Sequence, residues 1–196
     1  MPTRRERKKQ ITSRKITDVA VRLIREQGFE KTTMRQIADE ADVAIGTLYA
    51  HFPSKESIVS VYCHLSMLDQ IDDLMRLFKS LPDTKSRLGL YFAQMIKWVT
   101  EDRELAIIFF IDGMKRFADD KGSTVTSLGE HDPLAQVLTW GQEQGDIRSD
   151  ISVSSLNMQL RVAMSAVAMS WLGNPDNGDL ADEVMQALDL FLTGAS

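Results

Sequence analysis

The sequence predicts an all-α protein, and three observations carry that expectation. Apolar residues recur at spacings of three and four along most of the 196 residues, the period of an amphipathic helix. No stretch shows strand-like alternation of any length. Aliphatic residues and Met far outnumber the 3 tyrosines, and only 5 prolines appear. The pattern divides into about nine helices. Three lie in an N-terminal head, residues 1–54, and six in a body, residues 55–196.

The elements follow in order. "MPTRRERKKQ" reads as a basic arm, expected to be mobile until it is tied to something. From Thr12, the residues Ile16, Val19, Ala20, Leu23 and Ile24 mark the first helix, which Gly28 closes as a C-cap. After "FEKTT", Thr33 is placed to cap a short helix carrying Met34, Ile37 and Ala38. "EADV" makes a tight turn, and Ala44 to His51 form the third helix. Ser54 then caps a long run from Lys55 to Lys79, with "LPDT" ending it and capping the next, Thr84 to Thr100. Leu105 to Phe117 is apolar nearly all round ("LAIIFFIDGM"), which argues for burial. "ADDKGSTVTSLGEHD" has loop composition, and mobility is expected there. Asp132-Pro133 supply the N-cap and first position of a helix ending near Gly145. Ser152 caps Val153–Leu172, and Leu180–Leu192 completes the chain after "GNPDNGD".

Charge separates the same two parts. The whole chain carries −5, yet residues 1–55 hold 12 Lys/Arg against 7 Asp/Glu, and residues 56–196 hold 11 against 21. A basic head on an acidic body points to a polyanion partner for the head alone. The single Cys63 excludes an intramolecular disulfide framework and fits a reducing compartment. The basic start is not followed by the apolar run of a secretory signal. The longest unbroken apolar run, Leu105 to Ile111, is far shorter than the ~18 residues of a membrane span. A protein of the cytoplasm is therefore expected.

Two short helices joined by a tight turn, behind a supporting helix, match the helix-turn-helix plan. There the second helix enters the DNA major groove while the first braces it across the backbone. Ile37, Val43, Leu48 and Phe52 are expected to pack on Leu23 and Ile24, and Ala38 is small where two helices approach. Thr33 caps the bracing helix and turns its amides toward a phosphate. Arg35 and Lys55 flank the unit as phosphate-reaching cations, and Arg35 also has the reach for a guanine edge.

The stretch "TTMRQIADEADVAIGTLYAHFPSKESI" goes beyond the general plan and resembles the TetR family of bacterial transcriptional regulators. The resemblance rests on Thr33, Ile37, Ala38, Gly46, Thr47, Leu48, Tyr49, His51, Phe52, Ser54, Lys55 and Glu56, in one long ungapped motif. It covers about residues 12–60 in detail; beyond them only length, helix count and "GDIRSD" are similar. The resemblance implies that Thr47, Tyr49, His51 and Lys55 hold phosphates or reach bases, with Arg35 doing so from the bracing helix. Two positions depart from the family pattern. Asp42 stands where Gly is usual in the turn, and Asp tolerates left-handed geometry better than most residues. Ala44 replaces a frequent Ser or Thr, removing a cap. Ile45 has no hydrogen-bonding side chain, so a base contact there would be apolar, as with a thymine methyl.

The resemblance further implies that the body senses a ligand and dimerises. Met67, Met95, Trp98, Phe110, Met114, Trp140 and Met158, with Phe109 and Met164, make a Met- and aromatic-rich interior suited to an apolar or amphipathic guest. Asp112, Gln94 and His64 are the candidate polar anchors. Small Ala163, Ser165, Ala166, Ala168 and Ser170, with apolar Val162, Met169, Val184, Leu188 and Phe191, mark the last two helices as a dimer seam. The expected protein is a repressor released from a palindromic operator in double-stranded DNA by a small-molecule effector. An architectural DNA-binding protein with a solid body is the alternative, and a helical enzyme a third class. No HExxH, Walker or GxSxG pattern supports catalysis. His51, His64 and His131 lack metal-type spacing with Cys63, so neither a metal nor a cofactor is expected.

Overall fold

A computed structural model describes residues 3–119, 132–176 and 178–195, and the described residues form nine helices. They are α1 (Arg4–Gln27), α2 (Met34–Glu40), α3 (Ile45–His51), α4 (Lys55–Ser80), α5 (Thr84–Glu101), α6 (Arg103–Asp119), α7 (Pro133–Gln144), α8 (Val153–Gly173) and α9 (Leu180–Ala195). Most of the loop expected at "ADDKGSTVTSLGEHD" lies outside the described residues.

Local chemistry sets most helix ends. Thr33 and Ser54 each form a reciprocal capping box, with Gln36 and Ser57 respectively. Asp83, Asp132 and Ser152 accept from the first-turn amides of α5, α7 and α8. Gly28 (φ 87°) and Gly145 (φ 80°) take the left-handed conformation just past α1 and α7. The first helix corrects one expectation. The basic arm is not separate, because α1 begins at Arg4. Arg, Glu, Lys and Gln are good helix formers, and extending a helix already held at Ile16 requires no new nucleus.

Two apolar clusters organise the chain. The smaller gathers Ile16, Ala20, Leu23, Ile37, Ala38, Ala41, Leu48, Phe52 and Ile58, with Val43 against it. The larger runs from Val21 and Ile24 through Val59, Cys63, Phe92, Phe109, Leu138 and Leu160 to Leu188. Ile24 is thus placed differently from the sequence expectation. It lies about a quarter-turn round α1 from Leu23 and faces the body instead of the head. α4 divides in the same way, Ile58 in the smaller cluster and Val59 in the larger. In the body α4 packs on α6, α5 on α7 and α9, and α8 on both α7 and α9.

A buried polar set joins α7 to α8. The carboxylate of Asp132, which caps α7, accepts from Arg161 Nη2 at 2.6 Å and from Asn157 Nδ2 at 2.8 Å. Arg161 Nε in turn donates to Asn157 Oδ1 at 3.0 Å. Burial raises the phenol of nearby Tyr91, and Arg161 partly offsets the rise. Arg87 acts as a second internal clamp. Its guanidinium donates to the carbonyls of Phe78 and Leu81 at the end of α4 and to Gln144 Oε1, and it lies over the Trp140 ring. Neither set has a sequence signature, since each joins residues far apart in the chain.

Candidate nucleic-acid interface

The tight turn and its two short helices build this surface from the inside out. Ile37 and Ala38 on α2 and Leu48 on α3 are buried, which fixes the two helices against α1. Asp42 occupies the left-handed region at φ 51°, where glycine would be usual, so the turn forms without one. Ala44 starts α3 with no side-chain cap. The rest of α3 faces outward. Ile45, Gly46, Thr47, Tyr49 and Ala50 are exposed, and His51 is half-buried with its ring tilted against Phe52. The fold itself does not demand Gly46, because a Cβ added there would meet nothing within 4 Å.

The flanking groups fall into two kinds. Arg35 is exposed and makes no ion pair or hydrogen bond with the described residues. Thr33 is exposed, but its hydroxyl is engaged by Gln36 N at 3.2 Å. Lys55 has an internal partner that the sequence did not reveal. Its Nζ donates to the Phe29 carbonyl at 2.6 Å and lies 4.1 Å from the centre of that phenyl ring. An ammonium has three donors, so this contact positions Lys55 and leaves it further N–H groups.

The head is clasped to the body at the corner between α5 and α6. Arg25 donates from Nε and Nη2 to Asp102 at 2.9 and 2.7 Å, and the Phe29 amide donates to Glu104 Oε1 at 2.8 Å. Further along α1, Arg14 grips both oxygens of Asp69 on α4. Beside the clasp, burial and then the charge of Asp102 push the Cys63 thiol up to about 12, so it stays protonated and inert at neutral pH.

In the body, the structure brings some of the expected pocket residues together and separates others. Trp98 meets Phe109 edge-on at 5.4 Å and Phe110 at 6.3 Å, with Met95 and Trp140 packed against the same cluster. Met67 is half-buried, while Met114 and Met158 are exposed on the outside of their helices. Of the polar candidates, Asp112 is buried and accepts from the Ser60 hydroxyl, His64 is half-buried and Gln94 is exposed. Among the described residues, one surface cleft of about 660 Å³ runs along α9, and another of about 370 Å³ lies between α1 and α4 at Arg25 and Tyr62. Neither is lined by the expected pocket residues.

The outer face of α8 carries Met158, Val162 and Ala166, four residues apart and all exposed, with Ser165 and Met169 half-buried beside them. Phe191 on α9 is half-buried. Val184 and Leu188 correct the expected seam. Both are fully buried within their own chain, so they have no area to give to a second copy. The exposed apolar residues of α9 are Met185 and Leu190 instead.

Fold and surface define a helix-turn-helix DNA-binding regulator with a larger helical body. Comparison with known proteins gives the family. Residues 16–61 match the bacterial regulatory proteins of the tetR family. The fatty acid metabolism regulator protein of Bacillus subtilis is 25% identical over 91% of this chain and 93% of its own. The transcriptional repressor KstR2 of Rhodococcus jostii is 28% identical, over 91% and 88% respectively. Among solved structures, Thermus thermophilus FadR in complex with lauroyl-CoA superposes with a TM-score of 0.81, at 25% identity, over 93% of this chain and 94% of that one. Residues 16–61 are thus a DNA-binding segment of the tetR family, and the chain is similar along almost its whole length to a TetR-family transcriptional repressor. Among the described residues, no helix is long and apolar enough to cross a membrane.

Proposed function

We propose that the protein is a repressor that leaves a palindromic operator when its body binds a small amphipathic molecule, with a long-chain acyl thioester as the leading chemistry. The observation that carries this reading is the superposition, along almost the whole chain, on a regulator holding lauroyl-CoA. The aromatic cluster of Trp98, Phe109 and Phe110 would have to repack around an acyl chain, and Met95 and Met164 in the same apolar core supply adaptable side chains for that. The head, residues 1–54, meets DNA through Thr33, Arg35, Thr47, Tyr49, His51 and Lys55. The body, residues 55–196, pairs with a second copy through the exposed faces of α8 and α9. The protein works at the nucleoid in the cytoplasm and performs no chemistry on its effector.

In this reading the free dimer holds two α3 helices at operator spacing. The effector favours a state in which α4 carries the heads to another spacing. It can shift the balance only as far as it binds that state more tightly. The test uses full-length protein and a duplex it selects from a randomised pool, followed by fluorescence anisotropy. Lauroyl-CoA is expected to weaken operator binding by about tenfold or more, a common size for allosteric coupling, while coenzyme A alone does not. Operator affinity unchanged by acyl-CoA of every chain length would rule out this effector class.

A further inference from the structure

On α3, "IGTLYAH", there is no Arg, Lys, Asn or Gln. The side chains that read guanine and adenine by paired hydrogen bonds are therefore missing from the helix that enters the groove. What α3 does present is an exposed Ile45 and, one turn on, an exposed Tyr49, at 44% and 54% of their full surface. Residues four apart lie on one face of a helix. Ile45 takes no part in either apolar cluster, so nothing inside the protein accounts for an isoleucine there.

A single exposed isoleucine is ordinary on a protein surface. Its surroundings distinguish this one. Ala44, Gly46 and Ala50 are small and exposed, and space at Gly46 is open for at least 4 Å, so the backbone on this side can sit close to a groove floor. Ile45 is β-branched and stiff at χ1, so it presents its methyl groups with little entropy left to lose. Arg35, exposed on α2 with its side chain unpaired among the described residues, and the exposed Lys8, Lys9 and Lys15 of α1 give the head positive charge complementary to a phosphate backbone. In the major groove the one apolar feature on a base edge is the 5-methyl group of thymine.

We propose that Ile45 is a specificity-determining residue of the operator contact and reads a thymine through its 5-methyl group, with the Tyr49 ring beside it. This rests on the DNA-binding reading of the head. The experiment takes a duplex selected by the full-length protein and replaces each thymine in turn with deoxyuridine, which pairs identically but lacks the methyl. For the unaltered protein, affinity falls about fourfold at one thymine position in a half-site, and about fifteenfold when both half-sites are changed, from the loss of one buried methyl each. Ile45→Ala binds the thymine and deoxyuridine duplexes equally, and Ile45→Val keeps most of the difference. Any change in DNA shape is common to both proteins and cancels in that cycle. Since Ile45 is exposed, all variants melt together. Methyl dependence that persists in Ile45→Ala, or that is missing from the unaltered protein, overturns the assignment while leaving operator binding intact. Failure to select any specific duplex overturns the DNA-binding reading and this inference with it.

Discussion

In the head, one short stretch of chain supplies both the packing and the outward surface, whereas in the body those two tasks fall to residues far apart. The head cluster draws all its members from between Ile16 and Ile58. The body is closed by pairs such as Asp132 with Arg161, Thr84 with Asp146 and Arg148 with the Ala195 carbonyl. A locally encoded surface leaves a motif; a surface assembled from distant segments leaves only composition. Three substitutions test that contrast.

The largest effect is expected in the body. Asp132→Ala leaves the Arg161 guanidinium without its carboxylate in a site where the pair's side chains are 3% and 11% exposed. Breaking one partner of a buried ion pair costs about 3–5 kcal/mol, read as a lowered urea midpoint. A loss below about 1 kcal/mol, the scale of a surface pair, would mean water reaches this network. Leu48→Ala comes next, removing a fully buried side chain from α3 at a cost of about 3 kcal/mol. All three tryptophans, Trp98, Trp140 and Trp171, lie in the body. Because α1 and α4 contribute to both clusters, the tryptophan-detected transition should move together with the far-UV circular dichroism. Two separate transitions would show the cores to be independent. Thr33→Ala is the smallest of the three. It removes one half of a capping box on a seven-residue helix, costing about 1 kcal/mol, with a loss of operator affinity that Thr33→Ser should restore.

The same contrast explains what could be read in advance. Caps are local, so Thr33, Ser54, Asp132 and Ser152 were legible as helix starts, and Asp42 as a turn residue. The outward set of α3 was legible because Leu48 and Phe52 fix which way the helix faces. Periodicity could not tell what covers an apolar face. Val184 and Leu188 are spaced as a seam and turn out to be interior, while Met114 and Met158 have core composition and lie outside. The second role of Asp132, holding Arg161, had no signal beyond its role as a cap. The same holds for the Lys55 contact with Phe29, whose partners are 26 positions apart.

The two-sided packing of α1 bears on the order in which the chain is built. By the time Ile58 has left the ribosome, the head has every member of its own cluster. Its first helix, however, still carries Val21 and Ile24 on an open flank. That flank belongs with Val59, Cys63 and Leu105, and its polar edge is secured by Asp102 and Glu104. The nascent head therefore waits, apolar side uncovered, while some forty more residues of body emerge. A stall in that interval would leave a DNA-binding motif that is formed but unclasped, with a sticky flank for a chaperone to hold.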